Sequence, residues 1–300
     1  MTSSYVTATT VAEAVAAMAG GARPVAGGTD LVVGARQGKS PLPETLVGIH
    51  QLPGLDAISD LNGGLSLGAL VTHQAIVSHP DIRTRYAGLA DASAIVGSHA
   101  TRVNGTIAGN VMNASPAMDT GAPLLCHDAV AVLEGSAGTR RLALSELWTG
   151  PGATSATAEE LLIALELPAP PEGAGSAYVR LEYRRQMEIA IVGAGALVEI
   201  SGGKVTSARV AITALAPTIH RVEQAEETLI GTEGDQGAVQ AAAEAAAAAA
   251  RPISDVRGSA EYRRAMAAVI TRRAINAALA RARGEMVEIP ASESTYGSTT

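Results

Sequence analysis

No phenylalanine occurs in this chain, and one tryptophan and six tyrosines are all it has besides histidine in the way of aromatic rings. A core must therefore be built by aliphatic packing, and 300 residues are ample to bury one. Cysteine is as scarce. Cys126 stands alone, which excludes an intrachain disulfide and an iron–sulfur cluster ligated by this chain by itself. Positive charge is in deficit: the formal net charge is −7, whereas a nucleic-acid or anionic-membrane partner calls for a basic face. No apolar run approaches the roughly 18 residues that span a bilayer. The opening MTSSYVTATT has neither the basic nor the apolar segment of an export signal. These absences lead to the expectation of a cytoplasmic protein with no transmembrane segment and no nucleic-acid partner.

What the chain does have is alternating element signals. Thr10 precedes Val11, Ala14, Val15 and Met18 at helical spacing, and Gly20-Gly21 ends the run. ARPVA (22–26), LVGI (46–49), GGLSLGAL (63–70), AVAVLEG (129–135), RRLAL (140–144) and LLIALELP (161–168) have the length and apolarity of strands. Residues 86–97 are helix-like, and 103–119 are expected to form a Gly/Asn/Pro-rich loop. Pro and Gly cluster at APPEGAGS (169–176), the clearest boundary in the chain. Beyond it, YVRLEYRR, AIVGAGALVEI and KVTSARVAITAL predict successive strands. Helices are then expected over 219–230, 236–250 and 258–283, the second favoured by its alanines. The polar end ASESTYGSTT has a disordered composition.

Several familiar motifs are only approached. Gly34 stands four positions before Gly38-Lys39-Ser40, one short of a Walker A loop, and Pro41 opposes the helix that should follow. GAGALV (193–198) lacks the third glycine of a dinucleotide fingerprint and lies inside an apolar run, which suits a packed strand. The six histidines are scattered without metal-ligand spacing, and are expected on the surface or in loops. GSAG (135–138) is not a serine-hydrolase elbow.

Two loops remain. In the first, Gly27-Gly28 follows a strand, and Thr29 and Asp30 precede a short helix. Consecutive glycines let backbone N–H groups converge on an oxyanion, and a threonine adds a hydroxyl. The second, NGTIAGNVMNASPAMD (104–119), carries Thr106, Ala108, Gly109 and Asn110, with Asp119 nine positions on. Together they suit a pyrophosphate with a nucleoside attached. For Asn110 and Asp119, turn or capping chemistry is the competing reading.

The order AGGTDL, LGALVTH, GTIAGNVMNASPAMD, ELLIALELP, RRQMEIAIVGAGA and PISDVRGSAEYRRAMAAVITRRA resembles the FAD-binding (medium) flavoprotein subunit of the molybdenum hydroxylase family, of the xanthine dehydrogenase and aerobic carbon monoxide dehydrogenase type. The resemblance covers residues 5–285. It implies an α+β fold: a vanillyl-alcohol-oxidase-type (PCMH) FAD-binding domain of two subdomains, 1–60 and 61–171, then a smaller α/β C-terminal domain, 172–285, and a disordered tail, 286–300. It implies non-covalent FAD, with Val25, Ala26, Gly27, Gly28, Thr29, Asp30 and Leu31 around the pyrophosphate. Thr106, Ala108, Gly109 and Asn110 would form the second pyrophosphate loop. Asp119 would bind the ribityl or phosphate region, and Leu162 and Ile189 would lie near the flavin ring. Relatives tend to read TIGG where this chain has Ala108, a residue that requires φ < 0 or modest strain at that backbone contact.

The implied partners are a large molybdenum-cofactor subunit and a small [2Fe–2S] subunit in a dimer of heterotrimers. Electrons would pass to NAD, a quinone or another acceptor. Carbon monoxide dehydrogenases tend to carry Tyr at the position of Ile189, so an aliphatic residue tilts the expected substrate towards an N-heterocycle such as a purine. No residue here is expected to be catalytic and no metal to be ligated. A self-sufficient flavin oxidase and an FAD-free scaffold subunit are the alternatives.

Overall fold

The computed structural model describes residues 4–38, 41–184 and 186–292. The chain builds three sheets of three, five and four strands and one two-stranded ribbon among these residues.

The first unit is a small parallel sheet in the order β1-β3-β2: β1 (Ser4–Thr7), β2 (Arg23–Val25) and β3 (Thr45–Gly48). Between β1 and β2 runs α1 (Val11–Ala19), whose N-cap Thr10 accepts from Glu13 N–H, and its buried Ala14, Val15 and Met18 face the sheet. The helix α2 (Leu31–Arg36) follows β2, although the Asp30 side chain makes no capping hydrogen bond. Gly34 and Arg36 of the near-match to a phosphate loop lie within this helix; Lys39 and Ser40 are outside the described residues.

The second unit starts with the hairpin β4 (Ile58–Leu61) and β5 (Gly64–Gly68). Six short helices follow: α3 (His73–Ser78), α4 (Pro80–Arg85), α5 (Ala87–Ala94), α6 (His99–Arg102), α7 (Ile107–Met112) and α8 (Gly121–Cys126). Strands β6 (Val130–Gly135) and β7 (Gly138–Ala143), the ribbon β8 (Trp148–Gly150) with β9 (Ala153–Thr154), and β10 (Leu161–Leu167) complete it. The antiparallel order is β4-β5-β10-β6-β7. Where the sequence predicts a continuous loop over 103–119, α7 forms instead. Thr106 caps it by accepting from Gly109 N–H at 3.1 Å, and Ile107, Ala108 and Val111 bury one face.

The third unit is the antiparallel sheet β11 (Ala174–Leu181), β12 (Val192–Ser201), β13 (Lys204–Thr213) and β14 (His220–Arg221). Against it lie α9 (Glu223–Leu229), α10 (Gln236–Ala249) and α11 (Ala260–Ala282). In α10, Val239, Ala242, Ala243 and Ala246 are buried at the 3–4 residue spacing of one helical face, and their small size admits α11 closely. GAGALV is a buried stretch of β12. A Cβ on Gly193 would lie 2.3 Å from Tyr178 Oη, so that glycine makes room for the phenol.

Two histidines expected at the surface or in loops are enclosed: His73 at the start of α3 and His127 after α8. His127 Nε2 lies 3.2 Å from Ser176 Oγ, and burial lowers its pKa to about 3. The tail also departs from expectation. Ala291 and Ser292 are buried: Ala291 N–H donates to Asp91 and Ser292 Oγ accepts from Arg180 N–H. The remaining tail residues lie outside the described set.

Candidate functional site

The first loop leaves β2 at Val25 and enters α2 at Leu31. Its two glycines are required for separate reasons. A Cβ at Gly27 would sit 1.9 Å from the Asn104 carbonyl oxygen, whereas Gly28 has φ +67°, the left-handed region that favours glycine. Among the described residues nothing accepts from the backbone N–H groups of Gly27, Gly28, Thr29 or Asp30. Four successive donors without protein partners suit an anion. Val25, Ala26, Gly28, Thr29 and Leu31 are half-buried. Partial desolvation raises the Asp30 carboxyl above its ordinary pKa, although the residue still reaches solvent.

The second loop is pinned to the chain before α3. His73 N–H donates to Gly105 O at 3.1 Å and Ile107 N–H to Val71 O at 2.9 Å, with Thr72 and Thr106 bridged. Thr106 Oγ1 is used as an acceptor by the α7 cap, which leaves its hydroxyl proton available to a ligand oxygen. Gly109 is exposed on the first turn of α7, and Asn110 Oδ1 accepts from Thr120 Oγ1 at 2.6 Å. Ala108 lies inside α7, outside the positive-φ residues, and its methyl is buried in the core. The strain that a residue other than glycine raised at this position does not arise.

The fold brings the two loops into contact. Gly27 packs on Asn104, and Thr29 Oγ1 and His73 Cδ2 each lie 3.4 Å from where a Cβ of Gly105 would be. A side chain on either glycine would fill the cradle between the loops. Asn104, Gly105 and His73 thus belong to the site though sequence reasoning did not name them. The available signal is LGALVTH, a segment of the family motif order that ends in His73.

Asp119 is placed differently from expectation. Its carboxylate is buried and accepts from Tyr178 Oη and Arg180 Nη1, each at 2.8 Å, both residues of β11. Burial raises its pKa to about 6 despite the arginine, while the carboxylates around Arg180 push that guanidinium's pKa up. Arg180 also pairs with Glu182. Asp119 therefore joins the second loop's end to the third sheet; both oxygens already serve the protein. Leu162 stands apart: it is 2% exposed, opposite Leu133 in the central core, and presents no surface to a cofactor. Ile189 is 46% exposed. Its segment hooks onto the approach to the second loop through Met187 N–H to Gly97 O, 2.9 Å, and Thr101 Oγ1 to Met187 Sδ, 3.7 Å.

Two glycine loops that meet where a small parallel sheet adjoins a larger antiparallel one, with four successive N–H groups lacking acceptors among the described residues, suit a nucleotide-cofactor-binding protein. Residues 1–170 match the family described as the FAD binding domain in molybdopterin dehydrogenase, and 176–278 the CO dehydrogenase flavoprotein C-terminal domain. The chain belongs to the FAD-binding flavoprotein (medium) subunits of the molybdenum hydroxylase family, and is thus a subunit type of oxidoreductases. It is 34% identical to the carbon monoxide dehydrogenase medium chain of Afipia carboxidovorans, over 87% of this chain and 90% of that one. To a putative xanthine dehydrogenase FAD-binding subunit of Escherichia coli it is 29% identical, over 94% and 98%. Carbon monoxide dehydrogenase from Hydrogenophaga pseudoflava superposes with a TM-score of 0.90 at 33% identity, covering 94% of this chain and 98% of that one. Quinoline 2-oxidoreductase from Pseudomonas putida 86 does so with 0.87 at 28%, covering 95% and 99%.

Proposed function

We propose that FAD binds non-covalently with its pyrophosphate between the two loops, held by the free N–H groups of Gly27, Gly28, Thr29 and Asp30 and by the Thr29 and Thr106 hydroxyls. The observation that carries this is the direct contact of Gly27 with Asn104, which makes one cradle from two distant stretches. Val25, Ala26 and Leu31 wall the first loop; Ala108, Gly109 and Asn110 form the second. Asp119 acts through the loop's attachment to β11 and Ile189 borders the ring, whereas Leu162, enclosed in the central core, makes no contact with the cofactor.

Bound FAD accepts two electrons and can release them singly or as a pair. The chain's residues bind and orient it. With a single buried cysteine, this chain does not supply the ligands of a [2Fe–2S] cluster. We therefore assign the clusters to a small partner subunit and hydroxylation to a large molybdenum-cofactor subunit, in a cytoplasmic dimer of heterotrimers. Electrons leave to NAD, a quinone or another acceptor. The aliphatic Ile189 favours an N-heterocycle such as a purine as substrate, in line with the names of several relatives, among them a xanthine dehydrogenase and a quinoline oxidoreductase.

The test is the visible spectrum of the purified chain, with the released cofactor identified by chromatography. Flavin bands and FAD support the reading. A colourless chain that takes up no added FAD overturns it and leaves a scaffold subunit. Anaerobic reduction of the reconstituted complex by hypoxanthine, against carbon monoxide, decides the substrate: bleaching by carbon monoxide alone sinks the heterocycle assignment.

A further inference from the structure

His73 is 1% exposed. Its backbone N–H holds the second loop through Gly105 O, and its ring faces the same point as Thr29 Oγ1, the Cδ2 edge being the near one. Nδ1 is enclosed and has no hydrogen-bond partner. A neutral imidazole carries one N–H and one lone pair, and an enclosed nitrogen without an acceptor is a poor place for the proton. The proton therefore resides on Nε2, the nitrogen bonded to Cδ2 and so beside the two loops. Burial and the neighbouring Arg102 hold the ring neutral, with a pKa of about 4. Arg102 is itself turned to Val96 O through Nη1.

From this geometry we infer that His73 is a further cofactor-binding residue, donating its Nε2–H to the pyrophosphate of the dinucleotide held between Thr29 and Gly105. The inference rests on the FAD reading above. It explains why a polar ring is enclosed where a leucine of similar bulk would avoid the desolvation cost. It also makes α3 a third support of the site, besides the two glycine loops.

The test uses the full chain stripped of flavin, with His73→Leu, which keeps bulk without a donor, and His73→Gln, which keeps a donor of similar reach. FAD affinity is read by flavin fluorescence, the bound pyrophosphate by 31P NMR, and the wild-type imidazole by 15N-histidine NMR with and without FAD. Loss of one hydrogen bond to a charged group weakens FAD binding by roughly ten- to hundredfold in the Leu variant. The Gln variant retains most of the affinity, the 31P resonances move, and the His73 Nε2–H signal shifts on FAD addition. If wild type does not bind FAD, the functional reading itself falls. If wild type binds but both variants match it within about twofold, His73 has no role. Equal weakening of both variants with unmoved 31P resonances makes it a wall residue only and overturns the donor role. Should the Leu variant not fold, the wild-type 15N signal and the Gln variant's 31P spectrum still decide.

Discussion

Gly27 and Gly28 look equivalent in sequence but are fixed by different constraints. Gly28 needs its left-handed backbone, so any branched residue there is strained before a ligand is considered. Gly27 is fixed by the Asn104 carbonyl, which makes Gly27→Ala the cleaner probe: its methyl must push the second loop away. Overpacking of this kind costs about 1–3 kcal/mol, which should lower the melting temperature of the apo chain by a few degrees, and FAD affinity should fall by roughly ten- to hundredfold. Unaltered affinity would mean the loops need not touch. Protonation is also decided residue by residue. His73 and His127 have folded pKa values of about 4 and about 3, below the ordinary 6.5. The unfolded chain therefore takes up these protons first on acidification, and stability falls below pH 6.5. At pH 5 the loss is roughly 2 kcal/mol for each. Asp119, raised to about 6 from 3.8, works in the opposite direction, its contribution shrinking as pH rises through 6. Urea unfolding of wild type and His127→Gln at pH 8 and pH 5 isolates the histidine part: the stability difference should move in favour of the variant at pH 5.

At the level of elements, most strands were legible because each is an apolar run bounded by glycine, proline or polar turns. The second loop was less so. Glycine, asparagine and proline outnumber helix formers across 103–119, yet Ile107, Ala108 and Val111 had a core to face and Thr106 a free N–H to cap. Tertiary burial decided, as it does for short helices. Thr106→Val removes that cap and should cost about 0.5–2 kcal/mol; Thr106→Ser should recover it in the same melts. The link from the site to β11 was hidden for another reason: Asp119 and Arg180 are 61 positions apart, and no local pattern pairs them. Arg180 is fully buried between Asp119 and Glu182. Arg180→Met leaves the buried Asp119 and the half-buried Glu182 without their cation, which should cost about 3–5 kcal/mol in urea unfolding. A loss below about 1 kcal/mol would show that the pair is solvated in practice.

The whole molecule divides its stability unevenly. The central core runs without a break from the five-stranded sheet into the C-terminal one, since Tyr178, Leu197, Ala211 and Ile219 pack with Leu124, Leu133 and Trp148. Buried pairs reinforce that junction, with Arg281 on Asp91 and Arg180 on Asp119. The N-terminal unit has a smaller core of its own, chiefly Ala14, Val15, Met18, Val47, Ile49 and Leu52, sharing Leu70 and Leu161 with its neighbour. Further ties include the packing of α1 on β6 and the Gly27 contact with Asn104, which joins the two loops read from the sequence as one site. A unit with few buried contacts opens at lower free energy than the rest. In the flavin-free chain, amide hydrogens of residues 4–50 should therefore exchange before those of β11, β12 and α11. A cofactor bound across both loops adds its binding free energy to the closed arrangement, so FAD should slow exchange over 25–31 and 104–110 together and through β2 and β3 behind them. Protection confined to one loop would place the cofactor elsewhere, and uniform exchange in the flavin-free chain would mean that the small parallel sheet unfolds only with the whole.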